Sequence, residues 1–197
     1  MIKLIMVVRA VYQHFRPPDG PAERFYSSGQ SKCRGDYLNG KQEGPWEFYH
    51  ENGQISLRSS FKDGERHGPW TLYYESGHVK LKGSSVEGRP EGLFERYYDG
   101  GRLWERVTYR DGERDGAYEQ FYESGRLAER GQYEEGRLDG LWEYFYPNGQ
   151  LKKRGRFSNR RRDGLWEAFD ETGRLIAQRN FSADHWAGGP PGPAGRS

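Results

Sequence analysis

The sequence predicts an all-β protein, an elongated single-layer antiparallel β-meander of tandem 24-residue hairpin repeats with about 14 strands. Three observations indicate this fold: a glycine that returns every 24 residues, a second glycine in a turn dipeptide, and large rings at fixed distances from the first glycine. A constant period of this length is typical of stacked supersecondary units. We therefore divide the array into units that start at Gly20, Gly44, Gly68, Gly92, Gly116, Gly140 and Gly164.

Each unit is counted from its first glycine, which is position 0. Position 9 is glycine again and usually follows a short polar residue, as in Asn52-Gly53 and Ser76-Gly77. Such a pair predicts a hairpin, because the turn needs a positive φ that glycine adopts without steric cost. The first strand of the hairpin carries an aromatic residue at position 5 in every unit: Phe25, Tyr49, Tyr73, Tyr97, Phe121, Phe145 and Phe169.

The second strand of the hairpin carries an apolar residue at position 11 in the six units from Gly44 onward, and in most units an aromatic residue at position 17. Alternation along a strand predicts that positions 11, 13, 15 and 17 share one face. Position 15 is often glycine, as at Gly35 and Gly131, which leaves room for a ring on the neighbouring strand. A second turn, for example Asn39-Gly40 or Asp63-Gly64, returns the chain to the next unit.

Two strands and two tight turns use all 24 residues, so no helix of useful length fits. Strand spacing predicts an advance of about 10 Å per unit and an array on the order of 65 to 70 Å long. Positions 2 and 5 are both large and aromatic in most units, so either both faces carry rings or a bulge brings the two positions to one face. Unit 68–91 has Ser85 instead of a ring at position 17, where a one-residue slip would invert side chains locally.

The two ends of the chain depart from the full repeat. Residues 1–19 fit the second half of a preceding unit, and we interpret them as an N-terminal capping half repeat; a degenerate export signal or a misassigned start is the alternative for Met1–Phe15. The repeat array then covers residues 20–183. Residues 184–197 form a Gly/Pro-rich tail that we expect to be disordered.

Composition and motifs argue against several functions. The 31 basic and 29 acidic residues leave a net charge of +2, which does not favour nucleic-acid binding. The histidines show no metal-ligand spacing, and no phosphate-binding or nucleophile motif occurs, so we expect no enzyme activity, cofactor, metal or small-molecule substrate. Cys33, the only cysteine, is interpreted as a buried or half-exposed thiol. The glutamates at position 3 are interpreted as a solvated edge stripe that pairs with repeated Arg and Lys.

Two sets of residues are candidates for partner binding. If the ring at position 5 packs, position 6 faces outward and presents Tyr74, Tyr98, Tyr122 and Tyr146 as contact area, although tyrosines that merely shield the second face are the alternative. The second set is Arg160, Arg161 and Arg162, which stand where other units have an acidic-Gly turn. This basic loop suits an acidic partner or a lipid headgroup, with a solvated loop as the alternative.

The repeat resembles the MORN-repeat family, and more narrowly the longer bacterial variant of YwqK-type antitoxins. The resemblance rests on GPWEFY at 44–49 with NGQ at 52–54, and on GLWEYFY at 140–146 with NGQ at 148–150, and it covers residues 20 to about 183. It implies a noncatalytic sheet that binds proteins, self-associates or contacts phospholipid headgroups. The antitoxin variant implies that a partner protein is neutralised.

These observations favour a noncatalytic protein-binding module, antitoxin-like or immunity-like, that uses an aromatic sheet face or a sheet edge. The first alternative is a peripheral scaffold that binds anionic lipid, and the second is a cell-wall or carbohydrate-binding repeat protein. We expect a cytoplasmic location, with export as the alternative required by the carbohydrate hypothesis.

Overall fold

The computed structural model describes residues 17–181, which form one sheet of fourteen strands. The strands are β1 Gly20–Phe25, β2 Ser31–Leu38, β3 Lys41–Tyr49, β4 Ile55–Lys62, β5 Glu65–Tyr73, β6 Val79–Val86, β7 Arg89–Tyr97, β8 Leu103–Arg110, β9 Glu113–Phe121, β10 Leu127–Glu134, β11 Arg137–Phe145, β12 Leu151–Ser158, β13 Arg161–Phe169 and β14 Leu175–Asn180. The predicted capping segment Met1–Phe15 and the predicted tail lie outside the described residues.

Every strand pairs antiparallel with the next strand in sequence, so the spatial order equals the chain order. This confirms the predicted meander. Each odd-numbered strand after β1 begins in the preceding unit and runs to position 5, β1 begins at Gly20 itself, and each even-numbered strand starts at position 11. Within residues 17–181 no helix is long and apolar enough to cross a membrane.

The turn that joins consecutive units has two central residues, both with positive φ. Between β2 and β3 these are Asn39, with φ of 54°, and Gly40, with φ of 75°. Two successive positive φ values define the mirror-image hairpin turn, whose twist matches the right-handed twist of paired strands. The other turn is longer: the Tyr26 N–H donates to the Gln30 carbonyl across 2.8 Å, and the Gly29 N–H donates to the Tyr26 carbonyl.

The turn between β12 and β13 is the exception, because Arg160 replaces glycine at a φ of 67°. A side chain in this region costs on the order of 1 to 2 kcal/mol, against a smaller entropic cost of glycine. We predict that Arg160→Gly raises the free energy of unfolding by about 0.5 to 1 kcal/mol. Urea titration followed by circular dichroism measures the change.

Arg161→Gly is the control for this prediction, since it removes the same charge from the adjacent residue. Arg161 starts β13 in extended conformation, where glycine weakens a strand. We expect this variant to be less stable than the wild type. Stabilisation by both variants would mean that lost charge, not relieved backbone strain, is the cause.

Two irregularities recur in the strand pairing of each unit. In the first, Phe48 pairs with Leu57 and Tyr49 pairs with Ile55, so one residue of β4 is left over as a bulge. Because Phe48 and Tyr49 are adjacent in β3, their side chains point to opposite faces of the sheet. The side chains of their partners, Leu57 and Ile55, must therefore also point to opposite faces. The prediction that positions 11 and 13 share a face is therefore wrong, because the bulge at position 12 lies between them.

The second irregularity lies where a unit begins. Arg34 pairs with Glu47 but Asp36 pairs with Glu43, so the stretch that contains Gly44 bulges out of β3. Unit 68–91 keeps the common register, with Gly68 opposite Ser85 as Gly44 is opposite Phe61. No slip occurs there.

Both faces of the sheet carry rings, which decides between the two alternatives for positions 2 and 5. We call the face that carries position 2 the spine face, since its rings contact one another in a row. Trp46 and Trp142 are each only 2% exposed, and the position 17 rings pack between the position 2 rings, as Tyr133 does 5.4 Å from Trp142 in an edge contact. The buried rings at position 2 are Trp46, Trp70, Phe94, Tyr118, Trp142 and Trp166.

The position 5 rings lie on the opposite face and are half-buried, apart from the exposed Phe25. The condition under which position 6 is expected to face outward, that position 5 lies on the packed face, is therefore not met, because the buried rings are those at position 2. In four of the six junctions between units, the position 2 ring lies against a glycine at position 15 of the preceding unit; Trp70 lies opposite Ser59 and Tyr118 opposite Val107. A Cβ added to Gly83 would be 2.8 Å from a ring carbon of Phe94, closer than any van der Waals contact. The predicted role of this glycine is confirmed.

Candidate functional site

The face opposite the spine carries a ladder of ion pairs, and we call it the ladder face. Position 3 supplies a carboxylate and position 14 a cation, as in Arg130 and Glu143, whose Nε and Oε2 atoms are 2.6 Å apart. The predicted pairing is confirmed, but the stripe runs across the middle of the strands and not along an edge. The pairs are Arg34–Glu47, Arg58–Glu47, Lys82–Glu95, Arg106–Glu119, Arg130–Glu143 and Arg154–Glu167.

The ladder cations also cover the position 5 rings. The Arg34 guanidinium carbon lies 5.6 Å from the centre of the Tyr49 ring, and Arg130 stands in the same relation to Phe145 at 5.7 Å. The pKa of Glu47 is held below its ordinary value by the hydroxyl of Tyr49 and by the arginines Arg34 and Arg58. Charges on this face are thus largely neutralised by one another, and exposed pairs of this kind add little stability.

An exposed apolar row runs beside the ladder at position 1. Leu93, Leu141 and Leu165 are 53%, 50% and 51% exposed. Leu93 and Leu141 line a shallow depression of about 630 Å³, together with Ala117 and several ladder residues. Sequence reasoning missed this row, although its signal is visible: the residue after the first glycine is apolar in every unit. The row consists of Pro21, Pro45, Pro69, Leu93, Ala117, Leu141 and Leu165.

The tyrosines at position 6 link neighbouring units. Each hydroxyl donates to the backbone carbonyl 23 residues further on, and His50 replaces tyrosine with Nε2 3.1 Å from the Tyr73 carbonyl oxygen. The rings are half-buried, so these residues are partly structural; a role in partner binding stays a prediction. The bonds run from Tyr26 to Tyr49 at 2.7 Å, Tyr74 to Tyr97 at 2.8 Å, Tyr98 to Phe121 at 2.9 Å, Tyr122 to Phe145 at 2.7 Å and Tyr146 to Phe169 at 3.0 Å.

We predict that Tyr122→Phe lowers the free energy of unfolding by about 0.5 to 1.5 kcal/mol, because the Phe145 carbonyl loses its donor. Urea titration of the full chain measures the loss. Tyr37→Phe is the control: its hydroxyl accepts a bond from exposed Arg24 and should matter less. Equal losses in the two variants would show that the bond between units adds nothing specific.

The arginine run does not form one patch. Arg160 lies in the turn and Arg161 begins β13, and both are exposed at the edge where units are joined. Arg162 lies over the Trp166 ring at 4.8 Å and the Phe181 ring at 5.4 Å, on the spine face. Acidic residues that include Glu113 share the neighbourhood of Arg160, so this edge carries mixed charge.

A polar cluster interrupts the spine face in its middle units, and the sequence did not predict it. The Arg114 side chain donates to the Tyr133 hydroxyl at 3.1 Å and lies 3.9 Å from a carboxylate oxygen of buried Glu105. The Tyr118 hydroxyl donates to Glu129 at 2.9 Å, and burial together with this carboxylate raises the pKa of Tyr118. The groups satisfy one another, so the cluster is best explained as packing.

Two further candidates can be placed within the described part of the chain. Cys33 is buried at position 13 of the spine face, which confirms the interpretation of a buried thiol. No group of three or more His, Cys, Asp or Glu side chains in residues 17–181 is arranged to hold a metal ion.

The comparisons with known proteins place the repeat in a family. Among solved structures, the chain is similar to the crystal structure of a mutant of S. aureus TarM in complex with fondaparinux, alpha-GlcNAc-glycerol and UDP. The TM-score is 0.29 and the identity 12%, over 79% of this chain and only 23% of the other. No curated protein matches. The model of the MORN repeat variant matches residues 42–63, 66–86, 90–111, 114–135 and 138–159. The chain therefore belongs to the MORN repeat variant family.

Proposed function

We propose that this chain is a noncatalytic module that binds a protein partner on its ladder face. The observation that carries the proposal is the row of half-exposed leucines, Leu93, Leu141 and Leu165, beside a ladder of charges that are already paired. Contact surfaces between proteins typically combine an apolar centre with a polar rim. The ladder face offers this combination over several successive units.

The energetics favour a protein over a small ligand. Covering the exposed half of each leucine is worth about 1 kcal/mol per side chain, so useful affinity requires a partner that spans several units. Successive leucines of the row are separated by whole units, at about 10 Å per unit. A partner of protein size with apolar side chains at matching intervals meets this requirement.

The paired charges argue against the lipid alternative on this face. Binding to anionic membranes depends on an excess of basic residues that face the surface. Each cation of the ladder pairs named above has a carboxylate oxygen within 3.1 Å, as Lys82 has at Glu95. The ladder therefore attracts an anionic surface weakly.

The finer part of the proposal concerns the kind of partner. The resemblance to antitoxin-type repeats supports a partner protein that loses its activity when it binds to the ladder face. The half-buried rings of Tyr74, Tyr98, Tyr122 and Tyr146 would extend the contact along the edge of the long turns. Arg160 and Arg161, both exposed, would meet acidic groups at the opposite edge.

The test compares the double variant Leu141→Asp/Leu165→Asp with the wild-type chain. The wild type is first used to capture a partner in stoichiometric amount, and the purified pair is then titrated by calorimetry. We expect the double variant to bind at least about tenfold more weakly, since two apolar contacts are replaced by carboxylates.

Leu38→Asp is the matched control, because Leu38 is 52% exposed but lies next to a short turn, away from the depression. Tyr98→Ala/Tyr122→Ala tests the tyrosine column separately. Unchanged affinity of the leucine variant would contradict the use of the ladder face. Salt-sensitive flotation with anionic liposomes, or retention on cell-wall polysaccharide without a protein partner, would favour the other hypotheses.

A further inference from the structure

Three arginines recur on the spine face, at position 22 of alternate units. Arg66, Arg114 and Arg162 lie over the position 2 ring of the following unit, with 4.9, 5.9 and 4.8 Å between the guanidinium carbon and the ring centre. The strand register is the same around the first two, since Arg66 pairs with Phe61 and Arg114 pairs with Tyr109. The surroundings of these two arginines can therefore be compared residue by residue.

In the middle units, the chain itself supplies the partners of the arginine. The Arg114 side chain donates to the Tyr133 hydroxyl at 3.1 Å and lies 3.9 Å from a carboxylate oxygen of Glu105. Glu105 is only 9% exposed. A nearly buried carboxylate needs a cation beside it, and position 22 provides one here. This part of the spine face is thus built to hold a carboxylate.

Arg66 lacks the partners that Arg114 has. Its Nε is buried and has no hydrogen-bond partner among residues 17–181. Burial lowers the pKa of Arg66, with no contribution from a neighbouring carboxylate. The residues that satisfy the arginine in the middle units are all replaced by apolar or shorter ones: Glu105 by Leu57, Tyr109 by Phe61 and Tyr133 by Ser85.

A row of leucines lies beside Arg66. Leu57, Leu72 and Leu81 pair across β4, β5 and β6, and all three are half-buried against the core rings. A guanidinium beside apolar side chains is poorly solvated, so pairing with an anion strengthens there. The leucines favour an anion that is itself carried by apolar groups. The same row in the middle units is polar and consists of Glu105, Gln120 and Glu129.

We call the surface formed by Arg66, Leu57, Leu72 and Leu81 the Arg66 patch. We propose that this patch binds a carboxylate side chain of a protein partner, an Asp or Glu flanked by apolar residues. The carboxylate takes the place that Glu105 has beside Arg114, and the planar guanidinium holds it through two parallel N–H bonds. The patch lies on the spine face, so its occupant does not depend on the proposed ladder-face function.

Two tripeptides test the patch on the full chain. They are N-acetylated amides with the sequences Leu-Glu-Leu and Leu-Gln-Leu. Nitrogen-15 NMR follows the side-chain Nε–H signal of Arg66, which is assigned by its loss in Arg66→Lys. We expect the Glu peptide to shift this signal saturably and to bind at least about tenfold more tightly than the Gln peptide, since only the carboxylate forms a charge-assisted pair. The Arg114 signal is the internal control and should not move, because Glu105 already occupies that site.

Equal shifts with both peptides, or an Arg114 signal that moves as far as that of Arg66, would overturn the proposal. If neither peptide moves the Arg66 signal, the side chain only covers Trp70. Isocaproate, a carboxylate without flanking residues, should bind at least about tenfold more weakly than the Glu peptide, because less apolar surface is covered. Equal affinity would contradict a protein partner. Inorganic phosphate that binds as tightly as the Glu peptide would contradict the choice of a carboxylate.

A carboxylate from the chain itself should block the patch. Leu57→Glu places one at the residue that corresponds to Glu105 and should weaken binding of the Glu peptide by at least about tenfold. Leu57→Gln is the matched neutral control and should weaken it less. Unchanged affinity of Leu57→Glu would contradict the site. Leu141→Asp/Leu165→Asp should bind the peptide as the wild type does, which separates this patch from the ladder face.

Urea titration checks the same pairing without a ligand. With Arg66 present, Leu57→Glu should have a higher urea midpoint than Leu57→Gln, because the carboxylate pairs with the guanidinium. In an Arg66→Leu background the order should reverse, since the carboxylate is then left unpaired on an apolar surface. The same order in both backgrounds would show that Arg66 does not accept a carboxylate at this place.

Discussion

Trp142→Ala should lower the free energy of unfolding by about 3 to 5 kcal/mol, the range typical of large aromatic side chains removed from a core. Trp142 is only 2% exposed and lies 5.4 Å from the rings of both Tyr118 and Tyr133. Its indole N–H donates to the Gln132 carbonyl at 3.2 Å. A single-layer sheet has no second layer that could fill the gap.

Denaturation in urea, followed by circular dichroism because several tryptophans contribute to fluorescence, measures this loss. Leu141→Ala is the matched control, since Leu141 is the preceding residue, points to the opposite face and is half exposed. We expect it to cost less than about 1 kcal/mol. Similar losses in the two variants would mean that the spine face is not the core of the sheet.

Gly155→Ala should cost about 1 to 3 kcal/mol, the usual range for an overfilled core. A Cβ on Gly155 would overlap the five-membered ring of Trp166. Backbone strain does not contribute, because the φ of Gly155 lies outside the left-handed region. Gly100→Ala is the control: its φ is also not positive, and no atom lies within 4 Å of the added methyl group. Urea titration compares the two variants.

A double variant tests whether the size of the ring opposite decides which side chain fits at residue 155. In the junction of Val107 with Tyr118, a side chain at position 15 is tolerated, and the two residues pair directly across the strands. Gly155→Val/Trp166→Tyr copies that junction and should recover part of the stability that Gly155→Val alone loses. No recovery would show that Val107 is tolerated for a reason other than the smaller ring opposite.

The repeat and its turns could be predicted from the sequence because their determinants are local. Asn39-Gly40 sets a positive φ at two adjacent residues, and this alone defines the tight hairpin. The face on which the core lies could not be predicted, since both faces carry rings and alternation treats them equally. Burial of Trp46 depends on Gly35, a residue of the neighbouring strand, which is known only once the register is known.

The candidate site was predicted in part for similar reasons. The pairing of position 3 glutamates with cations followed from complementary residue types at a common period. The leucine row was missed because Leu93 and Leu141 share their position with proline and alanine in other units, which obscures the pattern. The bonds of the tyrosine column were missed because their acceptors are backbone carbonyls, and those carry no signal in the sequence.

The bonds of the tyrosine column also bear on how such arrays change length. The Tyr98 hydroxyl reaches only the next unit, at Phe121, and Tyr122 repeats the same bond one unit later. Removing one internal unit by recombination between copies of the repeat would bring equivalent donors and acceptors together again, about 10 Å closer to the end of the sheet. Copy number, and with it the span of the binding surface, is therefore a property that gene duplication or deletion adjusts without any new contact having to evolve.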